Sequence, residues 1–350
     1  MAAHRVLITA IGGNIGQGIL KSLRAANRDY YIVGIDMHPL SAGFSLADAY
    51  YTVSKTGSPT FYAEIKDIIT REQIEAIYVC VPPELEYFSL QKEVIQQELG
   101  VEVFVNPVEV VRIGSDKLLT SEFLKNNSFP YPETHIADDD VAVERMISTY
   151  GFPLIMKPRL GSSSKNIFVV HSLKEIEAAK ILAPDMLIQR YLVGDDAEYT
   201  ATTVADKDKN IFASIVLHRD LLAGTTFRTE LTQDDSITAQ ITAIANALGT
   251  TGACNFQFRL LDGQVYVFEI NPRFSGTNGI RYLYGFNDAE MVFEVFKLNL
   301  AGYQPKLHPA VVLRYWNEIY IENADFKTLS TGTARHDGLE TVTRPLLKRP

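Results

Sequence analysis

An α/β domain with a parallel sheet, followed by a larger α+β portion rich in strands, is the architecture this sequence predicts. Three observations predict it. Short apolar strands alternate with helical segments from Arg5 to Val105. A glycine-rich turn, Gly12 to Gly18, joins the first strand to the first helix. After Pro153 the chain becomes strand-rich, and two alternating runs flank Asp262-Gly263 as a hairpin.

The elements follow in order. Arg5–Ala10 reads as a strand, Ile19–Ala26 as a helix, and Tyr31–Ile35 as a second strand ending at Asp36. Ala76–Val81 is a strand stopped by Pro82-Pro83, Glu86–Gln97 is helical, and Val101–Val105 is strand again. Strands separated by helices imply right-handed βαβ units in a parallel sheet. Ser115–Asn126 and Val141–Tyr150 read as helices. Strands follow at Leu154–Lys157, Ile167–Val170, Met186–Gln189, Tyr199–Ala205 and Ile211–Leu217. The helix Ser236–Leu248 precedes the hairpin Cys254–Asn271, Asp288–Ala301 is a last helix, and Val311–Ile321 is strand-like. The expected units are residues 1–112, 113–302 (with a smaller subdomain over about 116–190) and a C-terminal extension, 303–350.

Composition narrows the function classes. At 46% hydrophobic and 21% charged, the chain can bury a full core, and its net charge of −9 argues against nucleic acid or an anionic membrane as main partner. No apolar stretch reaches the ~18 residues of a membrane span, and the amino end lacks a signal-peptide pattern. Cys80 and Cys254, the only cysteines, lie in apolar runs. Buried reduced thiols and a cytoplasmic location are the expectation.

Glycines between a strand and a helix let the backbone turn tightly and bring N–H groups to the helix start. Asp36, at the end of the next strand, stands where a dinucleotide-binding domain would hold a ribose. A structural βα turn, a small-molecule site and an NAD site all remain open on these residues.

The hairpin is more informative. Phe256, Phe258 and Leu260 share one face, as do Tyr266, Phe268 and Ile270. Placing both sets on one side of the sheet opposes 260 to 266 and 258 to 268 across a loop Asp262-Gly263-Gln264. Gln257 then faces Glu269, with Asn271 on the same polar face and Arg273 just beyond. Three oxygen-bearing side chains suit a hard cation such as Mg²⁺, and the neighbouring arginine calls for an anion.

Three further stretches carry weaker signals. Lys157 ends an apolar strand, and the loop Gly161-Ser162-Ser163-Ser164-Lys165 offers small residues and free N–H groups for a flap over phosphates. Lys117 follows Asp116 at a helix start. Gln189-Arg190-Tyr191-Leu192 closes a strand before Gly194, and Glu198 opens the next one.

In this order the pieces resemble the ATP-grasp superfamily over roughly residues 5–300, nearest its carbamoyl-phosphate-synthase-like and biotin-carboxylase-like members. The most specific part is Phe268-Glu269-Ile270-Asn271-Pro272-Arg273-Phe274-Ser275-Gly276. The resemblance implies a Rossmann-like pre-ATP-grasp domain followed by a two-subdomain ATP-grasp fold. ATP would lie between the subdomains, with Lys117, Lys157 and the Gly161–Lys165 loop at its phosphates. Gln189, Arg190, Tyr191 and Leu192 would sit at adenine and Glu198 at ribose. Mg²⁺, or Mn²⁺ in its place, would be held by Gln257, Glu269 and Asn271. Arg273 and Lys157 would be the catalytic cations. Gly12, Gly13, Glu84, Arg219 and Arg228 would be substrate contacts. The implied activity is an ADP-forming carboxylate–amine ligase acting on a small carboxylate and an amine, in a homodimer. An NAD-dependent oxidoreductase and a non-catalytic nucleotide sensor are the rival readings. Two departures stand out: the hinge position is Gln189 where relatives often carry Glu, and Asp195-Asp196 displace the ribose acid.

Overall fold

A computed structural model describes residues 3–161, 166–183, 185–192, 198–315 and 318–319, with the backbone alone of 333–335. Its amino-terminal part comprises β1 (His4–Ile8), α1 (Asn14–Arg24), β2 (Tyr30–Asp36), β3 (Ala49–Thr52), α2 (Phe61–Glu72), β4 (Ala76–Tyr78), α3 (Pro82–Leu99) and β5 (Glu102–Phe104). The five strands are parallel in the order β3-β2-β1-β4-β5. Val6, Leu7 and Ile8 of β1 are 0% exposed. That is why the central strand reads as a continuous apolar run: helices cover both faces of such a sheet. The strand order reverses between β1 and β4, and the crevice beyond their carboxyl ends is the expected ligand position.

Two of these elements were not expected. β3 is short and follows a polar loop. In α2 the apolar residues Phe61, Ile65, Ile68 and Ile69 fall at helical spacing, a signal present in the sequence. The strand expected over Ala76–Val81 ends earlier, at Tyr78, and Pro82-Pro83 forms the first turn of α3, where a fixed φ and a missing N–H cost nothing.

The rest builds two antiparallel sheets. α4 (Val108–Ser115) and α5 (Lys117–Asn126) lead into β6 (Thr134–Ile136), α6 (Asp140–Tyr150), β7 (Leu154–Pro158), β8 (Phe168–Val170), α7 (Leu173–Leu182) and β9 (Met186–Arg190). The small sheet runs β6-β9-β7-β8, with α6 and α7 packed against it. The large sheet runs β14-β13-β10-β11-β12-β15. It contains β10 (Glu198–Ala205), β11 (Ile211–Leu222), β12 (Thr225–Thr232), β13 (Gly252–Leu261), β14 (Gln264–Asn271) and β15 (Val311–Leu313), with the helices α8 (Asp235–Leu248), α9 (Asn278–Arg281) and α10 (Asp288–Phe296). A short β16 (Thr333–Arg335) adds antiparallel to β3. β12 was not expected, because its turn is Ala223-Gly224 with φ of 50° and 73°, and alanine is a rare occupant of that conformation. The strand expected over 311–321 is confined to Val311–Leu313 among the described residues.

One core joins the parallel sheet to the large antiparallel sheet. Val6, Ile19 and Tyr78 pack in the same cluster as Ile215, Leu217, Phe293 and Phe296. Gly18 of α1 meets Gly279 of α9 so closely that a Cβ on Gly18 would lie 3.0 Å from the Gly279 nitrogen. Gly18→Val therefore forces the helices apart, and we expect a loss of about 1–3 kcal/mol in urea unfolding. An unchanged midpoint would contradict this packing. Among the described residues, no helix is long and apolar enough to cross a membrane.

Candidate active site

The β13–β14 hairpin supplies the polar face. Its turn is two residues, Asp262-Gly263, with φ of 52° and 74°, so Leu261 pairs with Gln264. A register shift between Gln257 and Phe258 then sets Gln257 opposite Glu269 and Asn255 opposite Asn271. The expected three-residue loop is thus corrected to two, and the bulge restores the lost residue. The face assignment is corrected too. Val265, Val267 and Ile270 are the core residues of β14, whereas Tyr266 and Phe268 are half-buried. The Phe268 ring lies 5.7 Å from the Lys157 ammonium, and the Tyr266 ring 5.8 Å from the Arg190 guanidinium.

Hydrogen bonds lock this face. Asn271 Nδ2 donates to Glu269 Oε1 at 2.8 Å, and Arg273 Nη2 donates to Asn271 Oδ1 at 2.9 Å. Arg273 Nη1 donates to the Phe274 carbonyl at 2.7 Å, and its buried Nε has no partner among the described residues. Arg219 Nη2 donates to Gln257 Oε1 at 2.8 Å and also to Glu198, its cross-strand neighbour. Asn255 is 1% exposed; the Thr200 and Thr202 hydroxyls donate to its Oδ1 at 2.9 and 3.1 Å.

Two lysines approach Glu269. Lys157, 4% exposed at the end of β7, donates to the Phe268 carbonyl at 3.2 Å. Asp116 caps α5 by accepting from Leu118 and Leu119 N–H and pairs with Arg159 at 2.7 Å, which fixes the α5 start against the end of β7. Lys117 is held there and donates to the Gly161 carbonyl at 2.9 Å.

Burial pushes Lys157 down to about 7, with Glu269 opposing and Lys117 assisting. Burial also lowers Lys117 and Arg273, again against the pull of Glu269. The sign of the stability effect follows. Between about 7 and the ordinary lysine range, the unfolded chain binds a proton that folded Lys157 lacks, so the empty protein gains stability as pH rises through that window. Below about 7 the full penalty applies. Lys157→Met removes it, and we expect the variant's melting temperature to exceed the parent's at pH 7 and the two to converge towards pH 10. Parallel curves would contradict the buried ammonium.

Two cavities meet at Glu269, Asn271 and Arg273. One, of about 290 Å³, is also lined by Pro82, Ser115, Lys117 and Gly161. The other, of about 340 Å³, opens between the glycine turn and the large sheet, lined by Gly13, Asn14, Arg219, Asn255, Gln257, Thr277 and Arg314.

Other expected residues fall elsewhere. Gly12 lines neither cavity: its N–H donates to Asp36 Oδ2 at 2.9 Å, and a Cβ there would meet Ser41 Oγ at 2.1 Å. Asp36, the ribose acid in the NAD reading, also accepts from His38 N–H and Ser41, so it staples the turn. Glu84 accepts from Thr9, is 8% exposed, is pushed up to about 7 by burial, and lines neither cavity. Arg228 pairs with Asp220 and Glu230, also away from both. Gln189 donates to Thr134 Oγ1 at 2.7 Å, Arg190 lies over the Tyr150 ring, and the Leu192 carbonyl accepts from Arg259. Tyr191 is half-buried beside them, and these four line neither cavity. Ser162, Ser163, Ser164 and Lys165, expected as the phosphate flap, lie outside the described residues, as do Asp195 and Asp196. Asn255 and Arg314 were missed; Asn255 could have been found, because alternation places it on the Gln257 face.

Residues 114–277 match the ATP-grasp domain family, and residues 6–104 match the PylC-like N-terminal domain family. The carbamoyl phosphate synthase large chain of Halobacterium salinarum is 23% identical over 305 residues, covering 79% of this chain and 28% of that protein. The chain spans about a third or less of the length of the curated relatives it matches. N5-carboxyaminoimidazole synthetase from Staphylococcus aureus complexed with ADP superposes with a TM-score of 0.71 at 17% identity, over 89% of this chain and 82% of that one. The biotin carboxylase domain of Hydrogenobacter thermophilus 2-oxoglutarate carboxylase, in complex with MgADP and bicarbonate, gives 0.70 at 16% identity, over 93% and 76%.

Proposed function

We propose that this chain, an ATP-grasp domain set behind a PylC-like N-terminal domain, is an ATP-dependent, ADP-forming ligase that activates a carboxylate for attack by an amine. The observation that carries the reading is one carboxylate, Glu269, where two cavities join, with Lys117 and Arg273 on the cavity walls and Lys157 buried behind them, lining neither cavity. Such a surplus of positive charge suits a polyphosphate. The free Nε of Arg273 is a ready donor for a phosphoryl oxygen.

Among the described residues no three His, Cys, Asp or Glu side chains gather into a protein-only metal cage. One carboxylate with amide oxygens fits instead a hard dication, Mg²⁺ or Mn²⁺, that arrives on phosphates. Glu269, Asn271 and Gln257 would hold it, and it would neutralise charge on the phosphoryl oxygens.

In the reaction, a substrate carboxylate oxygen forms a bond to the γ-phosphorus as the bond to the ADP oxygen breaks. The amine nitrogen then bonds to the acyl carbon, phosphate leaves, and the nitrogen loses a proton. Lys117 and Lys157 would bind the phosphates, and Arg273 the transferring group. Gln189 to Leu192 would carry the adenine, at the crossing from the small sheet to the large one. Binding of a polyphosphate favours charged Lys157, so nucleotide binding above pH 7 takes up a proton.

Melting with added nucleotide tests the reading. Mg-ATP at a hundredfold excess over Kd should stabilise by about 2.7 kcal/mol, and NAD should not. A shift with NAD and none with Mg-ATP would favour the oxidoreductase, which Asp36, engaged with Gly12 and Ser41, argues against. Binding of Mg-ATP without acid-dependent ADP formation would favour the sensor.

A further inference from the structure

The larger cavity is short of acceptors. Among the described residues, five buried side-chain nitrogens lack a hydrogen-bond partner: Arg219 Nε, Asn255 Nδ2, Arg273 Nε, Arg281 Nε and Arg314 Nη1. Four of those five residues line this one cavity. A buried N–H left unpaired costs free energy, so four in one place mark the outline of something rich in acceptors.

The charges agree. Three guanidinium groups line the cavity, and the only carboxylate on its wall among the described residues is Glu269. Arg219 is balanced by Glu198. Arg273 belongs to the Glu269 side, through Asn271. Arg314 has no ion-pair partner among the described residues. It enters from the end of β15, its backbone N–H donates to the Phe227 carbonyl, and its Nη2 donates to the Gly276 carbonyl at 2.5 Å. The side chain is therefore aimed and fixed, while Nη1 stays free. Gly13, on the same wall, begins α1 without a side-chain cap, so the positive end of that helix faces the cavity as well. Asn255 is 1% exposed, and two threonine hydroxyls hold its carbonyl, which leaves its NH₂ as the group presented.

We propose that the acid substrate is a dianion: a small dicarboxylic acid, or an acid that also bears a phosphate, with no ammonium group beside the second anion. Asn255 receives the carboxylate that reacts, beside the phosphoryl group that Arg273 holds. Arg314 receives the second anionic group. An α-amino acid in zwitterionic form would bring an ammonium to a wall that offers it no free carboxylate. The inference rests on the ligase reading, and it assigns Arg314 as the residue that sets the substrate class.

The test uses the full chain with saturating Mg-ADP. Dissociation constants are measured by calorimetry for succinate, glutarate and phosphoglycolate, beside butyrate and valerate as monoanions of matched length. At least one dianion should bind tenfold or more tighter than the monoanions. The preferred compound separates a carboxylate from a phosphate at the second position. Arg314→Gln should abolish that preference while leaving the monoanion and Mg-ADP constants unchanged, and Arg314→Lys should restore part of it. Equal binding of monoanions and dianions, no dianion binding at millimolar concentration, or a preference that survives Arg314→Gln would each overturn the inference while leaving the ligase reading intact. Failure of Mg-ADP itself to bind would instead overturn the ligase reading.

Discussion

Glu269→Gln is expected to lower ADP formation by ~10²-fold or more while leaving the fold intact. The change is nearly isosteric, and glutamine keeps an oxygen to accept from Asn271 Nδ2, as Glu269 Oε1 does at 2.8 Å. What disappears is the one negative charge that opposes the burial of Lys117, Lys157 and Arg273 alike, among the described residues. Two consequences follow. A bound dication would lose its one charged ligand, and Lys157 loses the group that opposes its burial, so its charged form becomes scarcer. Glu269→Asp, which keeps the charge a methylene short, should fall between the two. Steady-state ADP release at saturating Mg-ATP, with circular dichroism to establish folding, measures this. Near-parental turnover by a folded Gln variant would remove Glu269 from the chemistry.

Arg281→Met is expected to destabilise the protein by about 3–5 kcal/mol, a larger stability effect than any substitution at the cleft surface. Arg281 and Asp288 pair with side chains 1% and 0% exposed. Arg281 Nη1 also donates to Ser275 Oγ at 2.8 Å and Thr277 Oγ1 at 2.6 Å, two residues of the larger cavity's wall. Removing the guanidinium leaves Asp288 buried with Asn278 as its remaining side-chain donor. The double variant Arg281→Met/Asp288→Asn should recover part of the loss, because no uncompensated charge remains. Urea midpoints for the three proteins decide it; a single variant within 1 kcal/mol of the parent would contradict the account.

Local pattern made much of the site legible, and long-range geometry hid the remainder. Alternation and the Asp262-Gly263 turn bring Gln257 opposite Glu269, as expected from the sequence. That agreement hides two errors that cancel: a loop one residue too long and a bulge not foreseen. The bulge is why Phe268 leaves the core face and meets Lys157. Nothing in the residue pattern of either strand signals it, and it shows only in the pairing of β14 with β13. The glycine turn was visible, but its use was not. Gly12 makes room for Ser41 and Asp36, Gly18 makes room for Gly279, and Gly13 lines the cavity. Arg314 and Arg281 lie outside any motif, and their partners are 38 residues away for Arg314 and within 7 residues for Arg281. A single arginine carries no periodicity, so only the folded chain reveals which cavity it serves.

Activation of a carboxylate by phosphorylation moves one carboxylate oxygen onto the released phosphate. The most direct measurement is ³¹P NMR of reactions containing the protein, Mg-ATP, an amine mixture and acids labelled with ¹⁸O in the carboxylate. ADP formation should depend on one acid, with a single ¹⁸O from that acid appearing in the released phosphate. ADP formation with unlabelled phosphate, release of AMP and pyrophosphate, or no acid-dependent turnover of ATP would contradict it.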